Sequence, residues 1–391
     1  MTMAPAAGAA GRAVDRLVLS TPDAFLASVP HMVGFDCADS VVLVGLGPNP
    51  ADRNDRSGMV RLVQRFDTPP SGMAAEDLAS IARSAAEPMV RSGSTEVIVA
   101  VFGATPAPGG ELPSTVLVDE LLARIDDAGL GVRDALFTDG ASRWSYGCDN
   151  PDCCPPEGRV IPETTRTLVA AEFAGIGAAM APSRAALADE IAPDPVRIAA
   201  VDAIAREHQP PADSTEGREE WRDSAIDHLT TLTQKSDAAV GPHDGATALQ
   251  GLTDIRVRDT FLWDMAQPGS DPRAVADRLA DLVRCAPAGL VAPAATALAI
   301  AQWSGGDGAR ANVALDRATA DDPEYSLAHL VGTALRSGLP PSTWAASLAD
   351  LDRGTCRHGM PPVAPPAPAA HASSPAVAPH TMPGPSTGLA S

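Results

Sequence analysis

The chain has 391 residues, of which 45% are apolar, and its formal net charge is −20 at neutral pH. This apolar fraction excludes a chain that is disordered throughout, and the length leaves room for two domains with a sizeable core. Because nucleic acids and anionic membranes are bound through clustered Lys and Arg, the strong negative charge argues against both as partners. A protein partner or a small ligand is expected instead.

The N-terminal region predicts a cytoplasmic protein. Residues 1–13 are rich in Ala and Gly and are predicted to be disordered. They have neither the basic start nor the strongly apolar stretch of a signal peptide. The best candidate for a membrane span, residues 289–303, is too short and includes Pro293, so it predicts a buried helix. The six cysteines are therefore expected to be reduced, because disulfides are rare in the cytosol.

Residues 14–185 are predicted to form an α/β domain. Thr21 as N-cap, Pro22 at the first helical position and the acidic Asp23 predict a helix start. Pro30 is expected to end that helix after about two turns. Short apolar runs then alternate with stretches of helical periodicity, which is typical of buried strands packed between helices. The predicted strands are 40–45, 59–66, 96–102 and 132–137, and the predicted helices among them are 74–90 and 113–128.

Residues 190–352 are predicted to be all-α, because strand signals stop after Pro162 and apolar residues then recur at helical spacing. Within this region, residues 292–325 predict two helices joined by a Gly-rich turn. Small residues on the second helix and Pro323 at its end fit the spacing of a tetratricopeptide repeat, whose period is about 34 residues. Any antiparallel helical hairpin with Ala at its crossing fits the same pattern, and an isolated repeat would not be stable.

The tail, residues 353–391, is rich in Pro and Ala, and from residue 361 onward it has no Asp, Glu, Lys or Arg. Such a composition cannot bury a core, and it predicts disorder with polyproline character. A segment of this kind could be a ligand for Pro-reading modules, although a plain tail is the simpler interpretation.

A Cys-rich loop at residues 143–158 is the densest cluster of unusual residues. Its cysteines are Cys148, Cys153 and Cys154. The thiolates could bind Zn²⁺, although C-x4-C-C departs from the common C-x2-C knuckle, and a fourth ligand such as His31 or Cys37 would have to come from elsewhere. Two of the thiols, those of Cys148 and Cys153, could instead form a reversible disulfide. The cysteines could also be small buried residues that shape a Pro-rich loop.

Six further residues are candidates for ligand binding: His31, Arg65, Asp67, Arg143, Trp144 and Tyr146. The imidazole of His31 either bonds to carbonyls at the end of a helix or faces the strand ends, where α/β domains bind ligands. Arg65 and Asp67 have the period-two spacing that places both on one face of a strand, and an ion pair or a cap is a simpler interpretation than catalysis. The other three candidates belong to the Cys-rich loop.

The sequence lacks several common catalytic motifs. It has no G-x-G-x-x-G after a predicted strand, no H-E-x-x-H and no G-x-S-x-G. A Walker A motif is excluded as well, since Lys235 is the only lysine among 29 basic residues and it does not follow a Gly-rich turn. The common schemes for nucleotide binding and hydrolysis are therefore not expected.

Several short segments together form a recognisable pattern. They are Leu19-Ser20-Thr21-Pro22-Asp23, Val29-Pro30-His31-Met32-Val33-Gly34-Phe35, Asp39-Ser40-Val41-Val42, Arg65-Phe66-Asp67, Arg143-Trp144-Ser145-Tyr146 with the cysteines after it, Ser183-Arg184, Val257-Arg258-Asp259, and the stretches 307–315 and 322–326. Over roughly residues 14–350 the chain resembles an actinobacterial family catalogued as a domain of unknown function, number 4192. The resemblance implies a cytoplasmic actinobacterial protein and supplies no activity. Cys37 falls where no family cysteine is expected, which weakens it as a metal ligand.

The leading functional hypothesis is a ligand- or protein-binding adaptor. It would have an α/β domain with a site near His31 and the Cys-rich loop, joined to a helical scaffold whose hairpins form a groove for a partner. The alternative is an enzyme that uses a thiol of that loop with His31 as base, or a zinc ion bound there. A thiol enzyme of this kind requires His31 within hydrogen-bond reach of a cysteine.

Overall fold

The computed structural model of the chain describes residues 2–3, 17–18, 21–48, 58–107, 109–178, 180–212, 217–234, 239–348 and 351–359. An N-terminal α/β region is followed by a region of helices, as the sequence predicts. The predicted disorder of residues 1–13 falls outside the described residues except at Thr2–Met3, which form a short strand. The predicted disorder of residues 360–391 falls outside them entirely.

The α/β region contains eight strands and three helices among the described residues. In chain order they are β1 (Thr2–Met3), β2 (Leu17–Val18), α1 (Pro22–Val33), β3 (Ser40–Gly47), β4 (Met59–Asp67), α2 (Ala75–Arg91), β5 (Glu96–Phe102), α3 (Thr115–Asp127), β6 (Gly131–Thr138), β7 (Ser142–Ser145) and β8 (Arg159–Val160). The helices that follow are α4 (Glu163–Gly175), α5 (Arg184–Glu190), α6 (Pro195–Glu207), α7 (Gly217–Gln234), α8 (Pro242–Thr253), α9 (Ile255–Met265), α10 (Pro272–Arg284), α11 (Val291–Ser304), α12 (Gly308–Asp321), α13 (Ser326–Arg336), α14 (Pro341–Ser347) and α15 (Arg353–His358).

One mixed sheet holds the α/β region together, with the strand order β2-β1-β4-β3-β5-β6-β7-β8. Strands β5 and β6 run parallel and are connected through α3, whereas β3 pairs antiparallel with both β4 and β5. Strands β7 and β8 follow β6 in antiparallel pairs. The carboxyl ends of β5 and β6 therefore lie side by side, and such strand ends are where α/β sheets commonly bind ligands.

Both faces of the central strand β3 are buried along its whole length. Val41 and Leu43 belong to an apolar core shared with α2 and α3, whereas Val42 and Val44 belong to a second core on the opposite face. This alternation follows from the period of two along a strand. The second core is continuous from α1 into the helical region, so the two regions pack against each other.

Helix α1, which carries His31, begins as predicted and ends later than predicted. Thr21 accepts a hydrogen bond from the Ala24 amide at 3.2 Å, which confirms the expected N-cap. The prediction that Pro30 ends the helix is wrong, because α1 continues past it to a left-handed cap at Gly34, where φ is 92°. A proline in the last turn removes only one helical hydrogen bond, and the Gly34 amide still bonds to the Pro30 carbonyl at 2.8 Å.

The helical region is built around α11, in which every residue from Val291 to Trp303 is buried, as the apolar run at 289–303 predicts. Helix α12 packs along it and is joined to α5 by the pair between Arg310 and Glu190 at 2.7 Å. It also approaches the α/β region at the end of α1, where a Cβ placed at Gly34 would lie 3.7 Å from the Ala309 side chain. Among the helices that the structure describes, none has both the length and the apolar character that crossing a membrane requires.

The predicted start of the disordered tail at residue 353 is wrong. Arg353–His358 form helix α15, which Asp352 caps by accepting the Thr355 amide at 2.7 Å. Arg357 is buried, and its guanidinium bonds to Asp223 and Glu219 of α7 at 2.7 and 2.8 Å. These ion pairs fix the segment before the neutral Pro- and Ala-rich stretch begins, and composition averaged over the whole tail conceals them.

Candidate functional site

A cleft of about 520 Å³ opens at the carboxyl ends of β5 and β6, between α1 and α4. Phe102 and Thr138, the last residues of these two parallel strands, line it together with His31 of α1 and Ala170 of α4. Its other polar lining residues are Asp36, Glu163, Arg166 and Thr167. A concave site at the ends of parallel strands is a typical place for a small ligand.

His31 is the ligand-binding candidate that the fold places in this cleft. Its ring stacks on Phe173, with ring centroids 4.8 Å apart and 16° between the planes. The Nδ1 atom is buried and has no hydrogen-bond partner among the described residues. Burial lowers the pKa of His31, because an imidazolium would hold its charge away from water. The ring is therefore a neutral imidazole at neutral pH, with a donor nitrogen and an acceptor nitrogen.

An ion pair and a tight turn form the polar side of the cleft. Arg166 is paired with Glu163 one turn earlier in α4, and it also donates to the Gly140 carbonyl at 2.6 Å. In the turn after β6, Asp139 accepts a hydrogen bond from the Thr105 hydroxyl at 2.7 Å. Burial raises the pKa of Asp139, but this bond and bonds from nearby backbone amides bring the pKa below its usual value. Because Glu163 pairs with it, the charge of Arg166 is already compensated.

Arg143 lies inside the fold and does not line the cleft. It donates a hydrogen bond to the carboxylate of Asp23 at the start of α1. Burial raises the pKa of the neighbouring Asp134, and the positive charge of Arg143 partly opposes that rise. The guanidinium of Arg143 therefore already interacts with carboxyl groups of the protein itself, those of Asp23 and Asp134.

Trp144 and Tyr146 are also held by the protein's own carbonyls. The indole N–H of Trp144 donates to the Pro156 carbonyl at 3.1 Å, across the Cys-rich loop. The Tyr146 hydroxyl donates to the Pro113 carbonyl at 2.5 Å, and burial raises the pKa of Tyr146. Neither side chain lines the cleft, and Trp144 acts as a support for the Cys-rich loop.

Arg65 and Asp67 form the ion pair that their spacing predicts, with 2.6 Å between the guanidinium and the carboxylate. Arg65 also donates to the Ser40 hydroxyl at 2.9 Å and lies 5.4 Å from the centre of the Phe35 ring. It lines a second groove, of about 860 Å³, between β4 and helices α12 and α13. Arg65 and His31 are therefore in different cavities.

The Cys-rich loop brings its three thiols together. The Sγ atoms of Cys148, Cys153 and Cys154 all lie within 4.8 Å of one another. A hydrogen bond from the Asn150 backbone is the main cause that lowers the pKa of Cys148. Burial, followed by the neighbouring sulfurs, raises the pKa of Cys154 to about 12. The arrangement brings three possible ligands to one place and could hold a metal ion.

Neither His31 nor Cys37 belongs to this group of sulfurs, so neither supplies a fourth metal ligand there. Cys37 is fully buried, its thiol donates to the Phe35 carbonyl at 3.6 Å, and burial raises its pKa to about 12. No cysteine lines the cleft that holds His31 among the residues that the structure describes. The single site expected near His31 and the Cys-rich loop is therefore two separate sites.

Three residues of α4 were not among the predicted site residues. Glu163 and Arg166 line the cleft together with His31, and Phe173 stacks on its ring. The signal that was available is positional, because Thr138 and the turn after it follow a buried strand, and polar residues at such strand ends mark ligand sites. That signal points to α4 only once the packing of α4 beside the end of β6 is known, which the chain order alone does not reveal.

Comparison with known proteins relates the chain to one family. The family model described as "Domain of unknown function (DUF4192)" matches residues 22–342. The matched span includes the cleft and the Cys-rich loop. No curated protein and no solved structure matches the chain.

Proposed function

The chain belongs to the DUF4192 family, and we propose that it is a binding protein that takes a small ligand in the cleft at the carboxyl ends of β5 and β6. The position of His31 carries this proposal. Its neutral ring is stacked on Phe173 and lines a concave cavity where two parallel strands end. A polar group set in a mostly apolar cavity is the usual composition of a small-molecule site.

The size and charge of the cleft define the ligand class. Its volume, about 520 Å³, falls within the range of small-molecule sites, about 300–1,000 Å³. Arg166 is neutralised by Glu163, and Asp36 adds a carboxylate to the lining, so the cleft has no excess of positive charge. A phosphate-bearing ligand is therefore disfavoured. The proposed ligand is a small organic molecule, neutral or singly cationic, with an apolar body and one polar group that bonds to His31.

The alternative, an enzyme in which His31 activates a cysteine, receives less support. Such an enzyme needs the imidazole and the thiol within hydrogen-bond reach. Among the described residues, no cysteine lines the cleft, and Nδ1 of His31 has no hydrogen-bond partner. These observations favour binding over thiol chemistry at this position.

For the rest of the chain, we propose a helical scaffold that takes a protein partner, with residues 292–325 as a tetratricopeptide-like hairpin. Small residues at the packing of α11 on α12, such as Ala295, Ala311 and Ala318, are fully buried and support this proposal. We also propose a cytoplasmic, actinobacterial protein with no nucleic-acid partner, on the basis of composition and resemblance.

A thermal-shift screen of the full chain against neutral and cationic metabolites tests the binding proposal. A true ligand at about 100 times its Kd is expected to raise Tm by about 3 °C or more. Calorimetric titration then measures its affinity for the variants His31→Gln and Ala170→Leu, the second of which fills the cleft. We expect at least a tenfold loss of affinity in both.

The exposed histidine variant His243→Gln, outside the cleft, is the matched control and should bind like the wild type. If no metabolite raises Tm, or if both cleft variants bind a hit with unchanged affinity, the cleft is not the site and the proposal fails.

A further inference from the structure

The three thiols of the Cys-rich loop are close to the separation that a zinc ion requires. Around a tetrahedral zinc with Zn–S bonds of about 2.3 Å, neighbouring sulfurs lie about 3.8 Å apart. The Sγ atoms of Cys148, Cys153 and Cys154 all lie within 4.8 Å of one another. Each sulfur–sulfur distance therefore has to shorten by about 1 Å at most to reach that spacing. No other group of three or more His, Cys, Asp or Glu side chains in the described residues is this close together.

A turn explains how two adjacent cysteines can face one ion. The Asn150 carbonyl accepts hydrogen bonds from the amides of both Cys153 and Cys154, at 3.1 and 2.7 Å. This folds the chain back on itself, so that both sulfurs lie near the sulfur of Cys148. The C-x4-C-C spacing, which departs from the common knuckle, is therefore compatible with a shared ligand in this conformation.

Hydrogen bonds and ring packing hold the loop in place before any ion binds. Trp144 donates to the Pro156 carbonyl at 3.1 Å, and Arg159 donates to the Cys153 carbonyl at 3.3 Å. Gly158 lies directly against the Trp144 ring, where a Cβ would be only 2.4 Å from the nearest ring carbon. Preorganised sites of this kind bind metal more tightly, because the loop loses less conformational entropy on binding.

The type of ligand also favours a soft divalent cation. Thiolate ligands select Zn²⁺ over Mg²⁺ or Ca²⁺. One cysteine is exposed and two are half-buried, so solvent reaches the group. Three protein ligands with solvent access are typical of a zinc ion that keeps an open coordination position.

We propose that Cys148, Cys153 and Cys154 bind one zinc ion through three thiolates and leave its fourth position to water or another exchangeable ligand. Among the described residues no cysteine lines the cleft, so this site stands independently of the proposed ligand binding. The competing state of the same residues is a disulfide between two of the thiols.

Zinc content of the full chain tests the proposal. The protein is reduced, loaded with zinc sulfate, desalted and analysed by elemental mass spectrometry, and about one zinc ion per chain is expected. The variants Cys148→Ser, Cys153→Ser and Cys154→Ser should each lose most of it. The matched control Cys356→Ser, in α15, removes a cysteine outside the group and should keep the wild-type content.

Cobalt titration of the reduced wild-type chain gives a measurement that no variant's misfolding can affect. Tetrahedral thiolate coordination should produce intense sulfur-to-cobalt absorption that zinc abolishes, and an added small thiol should shift the spectrum by entering the open position. A reduced wild-type chain that binds neither metal, or zinc that all three serine variants retain, overturns the site. A spectrum that does not respond to the added thiol overturns the open position.

Discussion

The guanidinium of Arg143 donates a hydrogen bond to the carboxylate of Asp23, which joins β7 to the first turn of α1. Arg143 is the more deeply buried partner, with 10% of its side chain exposed against 22% for Asp23. Asp23 also lies at the positive end of the helix dipole, which stabilises a carboxylate even without a partner. Removing Asp23 and removing Arg143 should therefore lower the free energy of unfolding by different amounts.

We expect Asp23→Ala to lower the free energy of unfolding by about 3 kcal/mol, because it leaves a buried cation without its main partner. Arg143→Met should lower it by less, about 1 to 2 kcal/mol, because the helix dipole still stabilises the Asp23 carboxylate. Urea denaturation followed by circular dichroism measures both. The control Arg91→Met removes an exposed pair with Glu87 and should cost less than about 1 kcal/mol. Equal losses in all three variants would contradict the structural role of Arg143.

Gly158 gives a second test, because two requirements for glycine coincide there. Its φ of 83° disfavours any L side chain, and a Cβ would also meet the Trp144 ring at 2.4 Å. We expect Gly158→Ala to lower the free energy of unfolding by about 3 kcal/mol or more. Gly129→Ala is the matched control, since Gly129 has a φ of 73° and open space around it, and it should cost about 1 to 2 kcal/mol. If the two alanine variants are equally stable, the ring does not restrict this loop.

The parts of the fold that could be predicted from sequence are those set by local chemistry. Thr21 caps α1 through a residue three positions away, and the apolar run of β3 reflects burial on both faces. The proximity of the three thiols is also local, since one turn at Asn150 produces it. Where a local rule failed, as at Pro30, a neighbouring glycine supplied the true end of the helix.

The candidate site depends on pairing between distant segments, which the sequence pattern does not encode. The sequence predicts Arg143 as a ligand-binding candidate because its partner, Asp23, lies 120 residues earlier in the chain and no local pattern links the two. His31 and Phe173 are likewise far apart in the chain, and their rings come into contact only in the folded protein. The strand–helix–strand order of β5, α3 and β6 predicts their parallel pairing, but it does not place α1 and α4 on the two sides of one cleft.

Asp281 joins α10 to α6 and couples the stability of the fold to acid pH. Its carboxylate accepts two bonds from Arg197, at 2.6 and 2.9 Å, and one from the Val240 amide at 2.7 Å. Burial raises the pKa of Asp281, but these bonds bring it below the ordinary value of 3.8. As the pH falls below about 4, the unfolded chain therefore takes up this proton before the folded chain does, and the stabilisation by Asp281 is lost.

Asp281→Asn should accordingly lower the free energy of unfolding by about 2 kcal/mol at pH 7, where the carboxylate is charged in both states. The difference from the wild type should shrink as the pH falls through the depressed pKa of the folded state. Urea denaturation at a series of pH values between about 7 and 2.5 measures this. Asp316→Asn, which removes an exposed pair with Arg184, is the control and should cost less than about 1 kcal/mol at pH 7. A difference for Asp281→Asn that stays constant across the series would show that its carboxylate does not couple protonation to folding.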